Sequence, residues 1–125
     1  MGPFGQVCCR RFFAWSVYPG IIYKSPATIP DSYLTEMTTK TDKPVAITEM
    51  GWPSKTPAAG WESSEEEQAD CARRFFELAK DIDYKFAIWS FLFDQDAGQA
   101  FLGMGLVNDD GSKRPAWNVW VAATP

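Results

Sequence analysis

Three short runs of the chain are apolar almost without a break, and each is closed by a turn or a charge. Phe12-Phe13-Ala14-Trp15-Ser16-Val17-Tyr18 runs into Pro19-Gly20, and Val45-Ala46-Ile47-Thr48 runs into Glu49. Phe86-Ala87-Ile88-Trp89-Ser90-Phe91-Leu92-Phe93 runs into Asp94. Runs of this length bounded by turn signals predict buried strands. Between them the period changes. Ala72, Phe75, Phe76 and Ala79 recur at i, i+3, i+4 and i+7, one face of a helix. Ser63 or Ser64 is its predicted cap, with Glu66 and Glu67 at the capping-box spacing. Acids crowd its start, and Arg73, Arg74 and Lys80 follow, the order that the helix dipole favours. That charged run predicts a solvated helix start, not a binding patch. Pro30 predicts a second helix from Asp31 to about Lys40, with Tyr33, Leu34 and Met37 on its apolar side. Pro115 opens a last one over Ala116 to Ala123, with Trp117, Trp120 and Val121 to bury.

The order is strand, helix, strand, helix, strand, helix. It predicts an α/β fold with parallel strands and helical crossovers. Strands apolar throughout are expected to be covered on both faces. The chain reads as a single domain over residues 1–125, with 1–11 an atypical leader lacking either period and 12–125 the patterned part.

Composition narrows the chemistry. The chain has 125 residues, 46% of them hydrophobic, with six Trp and nine Phe. A net charge of −4 gives no basic face for nucleic acid, and no run reaches the roughly 20 apolar residues of a membrane span. There is no histidine, so His-dependent triads and His-based zinc sites are excluded, and acid/base work falls to carboxylates, Tyr, Lys or Cys. No cofactor or metal is expected. Cys8, Cys9 and Cys71 are an odd set and predict free thiols. The N-terminus has no signal-peptide pattern, so the chain as encoded is expected to be cytoplasmic.

In parallel α/β folds, ligands gather at the carboxyl ends of the strands. Those ends carry Ser16-Val17-Tyr18, then Thr48-Glu49-Met50-Gly51-Trp52, then Trp89-Ser90 and on to Asp94. A Tyr, a Glu and a Trp are thus expected on one rim. Glu49 can act as nucleophile, base or charge stabiliser, Tyr18 can steady it, and a Trp face can stack on a sugar ring. A Glu meeting solvent at a turn is the plainer alternative.

The segment KPVAITEMGWPSK resembles the seventh strand of clan A glycoside hydrolases, which are (β/α)8 barrels. It is most similar to the endo-β-1,3-glucanase and endo-β-1,4-galactanase type. Trp15 to Pro19 resembles the end of strand six, Phe86 to Phe91 strand eight, and Gly105 to Trp117 the tail before the last helix. The resemblance implies Glu49 as the nucleophile of a retaining glycosidase and Tyr18 as its hydrogen-bond partner. It implies Trp89 as a sugar platform, Trp52 and Asp94 as cleft-lining residues, and a β-linked polysaccharide or oligosaccharide as ligand. Relatives of this kind are often secreted, which leaves the compartment open.

The same resemblance implies what is not encoded. Only three of the eight βα units of a (β/α)8 barrel are present. Retaining hydrolysis uses two carboxyl groups about 5–5.5 Å apart. The implied acid/base is a Glu after Asn on strand four, and no Asn-Glu pair occurs; Asp94 and Asp96 are poor substitutes. The expectation is a truncated hydrolase-like chain with at most weak retaining β-glycosidase activity. The alternative is a non-catalytic carbohydrate-binding or assembly module. Three parallel strands leave open edges and an apolar face, so the partial barrel is expected to be completed by self-association, with a homodimer favoured.

Overall fold

The computed structural model describes residues 11–123. The leader therefore lies outside the described residues except for Arg11, and so do Cys8 and Cys9. Three strands form one parallel sheet in the order β1-β2-β3: β1 is Phe13–Val17, β2 is Val45–Met50 and β3 is Tyr84–Trp89. Among the described residues four α-helices accompany them: α1 Gly20–Tyr23, α2 Thr35–Thr38, α3 Glu65–Ala79 and α4 Pro115–Ala123. Helix α3 is capped by Ser64, whose hydroxyl accepts the Glu67 N–H at 3.2 Å, with Glu65, Glu66 and Glu67 in the first turn. Pro115 begins α4 as the pattern predicts.

One face of the sheet is packed under α3 and α4. Trp15, Val17, Ile47, Met50 and Trp89 are buried there with Ala72, Phe75 and Leu78 of α3. Trp120 of α4 stacks on Phe75 and meets Trp89 edge-on. Burying a side chain of this size is worth about 1.5–3 kcal/mol, so this layer carries the fold. Cys71 is a free thiol in it, fully buried, and burial pushes its pKa well above the ordinary thiol value.

The other face is open, and here the pattern misleads. Phe86 and Ile88 alternate with the inward Ala87 and Trp89 and are 43% and 49% exposed. The strands are apolar on both sides but covered on one. Two boundaries also differ from expectation. The predicted helix from Asp31 to Lys40 holds only four α-helical residues, Thr35–Thr38. Thr35, Thr38 and Thr39 each donate a hydroxyl to the carbonyl three residues back, and Met37 and Lys40 take the tighter i−3 backbone bond. Side chains that bond locally in this way favour turns over helix. The third strand begins earlier, at Tyr84, and ends at Trp89, so Phe91, Leu92 and Phe93 are loop. At this end of the ladder the Met50 N–H donates to the Ser90 hydroxyl at 3.1 Å.

Candidate active site at the strand ends

Each strand delivers one polar side chain to the same point at its C-terminal end. Glu49 lies in β2, paired across from Ser16 of β1. Tyr18 follows β1 by one residue and Ser90 follows β3 by one. The Tyr18 hydroxyl donates to Glu49 Oε2 at 2.9 Å, and Tyr18 Oη lies 2.7 Å from Ser90 Oγ. Ser90 is fixed to β2 by two bonds with Met50: its N–H donates to the Met50 carbonyl at 2.8 Å and its Oγ accepts the Met50 N–H. The Tyr18 ring is held edge-on by Phe101, centroids 5.1 Å apart, and Phe101 in turn touches Phe91. Gly51 makes room for that ring, since a Cβ there would fall 3.0 Å from Tyr18 Cε1 and 2.8 Å from Met104 Sδ.

The electrostatics follow from this packing. Burial is the largest influence on the Tyr18 phenol and raises its pKa; the Ser90 hydrogen bond opposes it, and the Glu49 charge adds to it. Tyr18 is therefore a neutral donor across the physiological range. Glu49 is exposed, and its Oε1 has no hydrogen-bond partner among the described residues. One carboxylate oxygen is held and the other faces solvent, which is what a nucleophile or a charge stabiliser requires.

The structure brings Glu49 and Tyr18 together. It does not bring the other three predicted site residues to them. Trp89 is buried against Trp120, with its indole N–H donating to the Met104 carbonyl at 2.7 Å. It points to the helix layer and presents no face at the mouth, because the residue after it, Ser90, takes the open side. Trp52 is fully buried, bonded through its indole N–H to Ser63 Oγ and packed edge-on to Trp61. It anchors the turn after β2 and cannot line a cleft. Asp94 is tied up as well. Its two oxygens accept from Arg114 at 2.7 and 2.9 Å, and Oδ1 also accepts the Gly105 N–H at 2.9 Å. Arg114 further donates to the carbonyl of Gly105 and to Asn108. Gln68, buried in α3, donates to the carbonyls of Trp52 and Gly105. This network clamps the loop after β3 to the turn after β2.

Sequence reading passed over Ser90, Phe101 and the Arg114 clamp. The signal for Ser90 was in the parity of β3: Phe86, Ile88 and Ser90 share one face, opposite Trp89. Phe101 sits in a short 3₁₀ turn, Gln99–Phe101, with no periodic neighbours to mark it. A large hollow of about 630 Å³ lies elsewhere, near the N-terminal ends of the strands, among Arg11, Thr38, Thr41, Asp42, Lys43 and Asp83. It gathers exposed charges of both signs at the end opposite to where the βα loops of such folds form sites.

No protein-family model matches the chain, and no curated protein sequence does. Solved structures do. GH5_18 from Streptomyces cattleya, in complex with GlcNAc, matches with a TM-score of 0.65 at 20% identity, over 88% of this chain and 29% of that one. The glycoside hydrolase family 17 β-1,3-glucanosyltransferase from Rhizomucor miehei matches at 0.59 and 19%, over 84% and 41%. The GH53 catalytic domain from Ignisphaera aggregans matches at 0.55 and 15%, over 91% and 39%. The chain spans less than half of each of these proteins. At such identities the likeness is one of fold: three parallel βα units of a TIM barrel of the glycoside hydrolase type.

Proposed function

We propose that this chain carries the nucleophile half of a retaining glycosidase site, with Glu49 as the nucleophile and Tyr18 as the group that holds it. The observation behind this reading is the Tyr18–Glu49 hydrogen bond at the carboxyl ends of parallel strands, with Oε1 left open. In retaining hydrolysis the nucleophile attacks the anomeric carbon and the leaving oxygen takes a proton from a second carboxylic acid. Tyr18 would fix the carboxylate plane and keep Oε2 from rotating into the attack position. Among the described residues, no second carboxylate is bonded to this group. Losing a general acid costs about 10²–10⁴-fold, so the activity of these residues alone would be weak and confined to substrates with good leaving groups. The ligand class proposed is a β-linked oligosaccharide, on the strength of the fold and of the carbohydrates bound by two structural neighbours, GlcNAc in GH5_18 and laminaritriose in an active-site mutant of the Rhizomucor miehei glucanosyltransferase. Dinitrophenyl 2-deoxy-2-fluoroglycosides test it, since their leaving group needs little acid assistance. A covalent sugar adduct in the parent protein that is absent in Glu49→Gln is the expected result. No adduct across a panel of sugars would overturn the reading.

A second reading is favoured by the open face of the sheet. Phe86 and Ile88 stand exposed on the edge strand β3, with Phe12 packed edge-on against Phe86. Large apolar side chains in such a patch mark an interaction surface, and an assembly module without hydrolysis would use them. Sedimentation of the parent and of Ile88→Glu separates the cases: a parent dimer converted to monomer supports assembly, and a monomer in both removes it.

A further inference from the structure

The hydrogens at the site can be assigned by counting. A carboxylate only accepts, and a phenol has a single hydrogen. Tyr18 spends its hydrogen on Glu49 Oε2, so the 2.7 Å contact with Ser90 must be made by the serine hydrogen. Ser90 Oγ in turn accepts the Met50 N–H at 3.1 Å. The bonds therefore run one way, from the Met50 backbone through Ser90 and Tyr18 to Glu49. Each donor in such a chain polarises the next. The Met50 amide is fixed in β2 directly after Glu49, so the chain begins and ends on the same strand.

The geometry points to Ser90 as a positioning residue that acts on Glu49 through Tyr18, by holding the Tyr18 oxygen as an acceptor and committing its hydrogen to the carboxylate. Its catalytic consequence rests on the reading of Glu49 as nucleophile; its effect on Tyr18 does not. Without Ser90 the Tyr18 hydroxyl has no fixed partner on its far side and can turn toward water. The phenolate also loses a donor, consistent with the lowering influence that Ser90 has on the Tyr18 pKa. Threonine carries the same hydroxyl and should preserve the chain.

Two measurements on the folded full chain test this. The first follows the Tyr18 ring carbon bearing the hydroxyl by NMR through alkaline titration. Ser90→Ala should move the Tyr18 midpoint upward, and Ser90→Thr should leave it near the parent value. If Ser90→Ala does not fold, Ser90→Cys replaces it, since its weak donor should give the same shift in smaller measure. The second is the rate of Glu49 labelling by a dinitrophenyl 2-deoxy-2-fluoroglycoside. Ser90→Ala should slow it about tenfold, Ser90→Thr less than about twofold, and in a Tyr18→Phe background Ser90→Ala should change little further. An unmoved Tyr18 midpoint in Ser90→Ala overturns the proposal. So does a labelling loss of equal size with and without Tyr18, which would make Ser90 a support for Met50 only. A parent that takes no label refutes Glu49 as nucleophile, and the titration then still decides the role of Ser90.

Discussion

Two carboxylates stand at or beyond the strand ends of this sheet, and their surroundings are opposite. Asp94, past β3, accepts three hydrogen bonds from Arg114 and Gly105, on an arginine whose side chain is only 8% exposed. Glu49, within β2, is exposed and accepts one, from Tyr18. Both are acids at the end of an apolar run, and the run alone does not tell them apart. The difference lies in what each oxygen still has to offer. Asp94 has both oxygens bonded and spends its charge on holding a loop in place. Glu49 keeps one oxygen fixed and one available, the condition for chemistry. A carboxylate at a strand end becomes a candidate site only when the fold leaves part of it unsatisfied.

The sharpest way to break the contrast is at the clamp. A Cβ on Gly105 would fall 2.5 Å from the Asp94 nitrogen and 2.6 Å from the Phe93 carbonyl carbon. Backbone cannot yield there as a flexible side chain would, so Gly105→Ala should cost more than about 3 kcal/mol by chemical denaturation. Asp94→Asn comes next. It removes the nearer counter-charge of the buried Arg114, leaving Glu65 at 3.6 Å, and should cost about 2–3 kcal/mol. Its pH signature has a definite sign. The Arg114 hydrogen bonds hold the Asp94 pKa below the ordinary carboxylate value. The stabilisation is therefore complete above the unfolded pKa of about 3.9 and is lost as the pH falls through the lower folded value. The acid limb of the stability profile should be shallower in Asp94→Asn than in the parent.

Gly51→Ala acts on the other carboxylate. The added methyl would press on Met104 and the Tyr18 ring, at about 1–2 kcal/mol of stability, and should loosen the Tyr18–Glu49 bond. Glu49→Gln is the smallest of the series. An exposed side chain outside the core should change stability by less than about 0.5 kcal/mol. A large loss there would place Glu49 with Asp94 among the structural residues.

Much of this was legible in the sequence. The three strands, the helix capped at Ser64 and the Pro115 helix start follow from short-range pattern, because each is decided by neighbours within a few residues; the Tyr18–Glu49 contact joins residues 31 positions apart and was implied only by the family resemblance. What was hidden depended on the opposite side of the sheet. Trp89 looks like a sugar platform and Trp52 like a cleft-lining residue by type, yet Trp89 packs on Trp120 of the helix layer and Trp52 packs on Trp61 beneath the turn after β2. Asp94 looked like a rim residue because its partner, Arg114, lies 20 positions on. The covered-on-both-faces expectation failed for a similar reason: apolarity records what a face is made for, and this structure covers only the one that α3 and α4 reach.

The central claim is that Glu49, and not Asp94, carries the reactive oxygen. Peptide mapping of the protein after incubation with dinitrophenyl 2-deoxy-2-fluoroglycosides tests it most directly. The account predicts a single glycosyl ester, on the peptide containing Glu49, and none on the peptide containing Asp94. An ester on Asp94, or no ester on either, would contradict it.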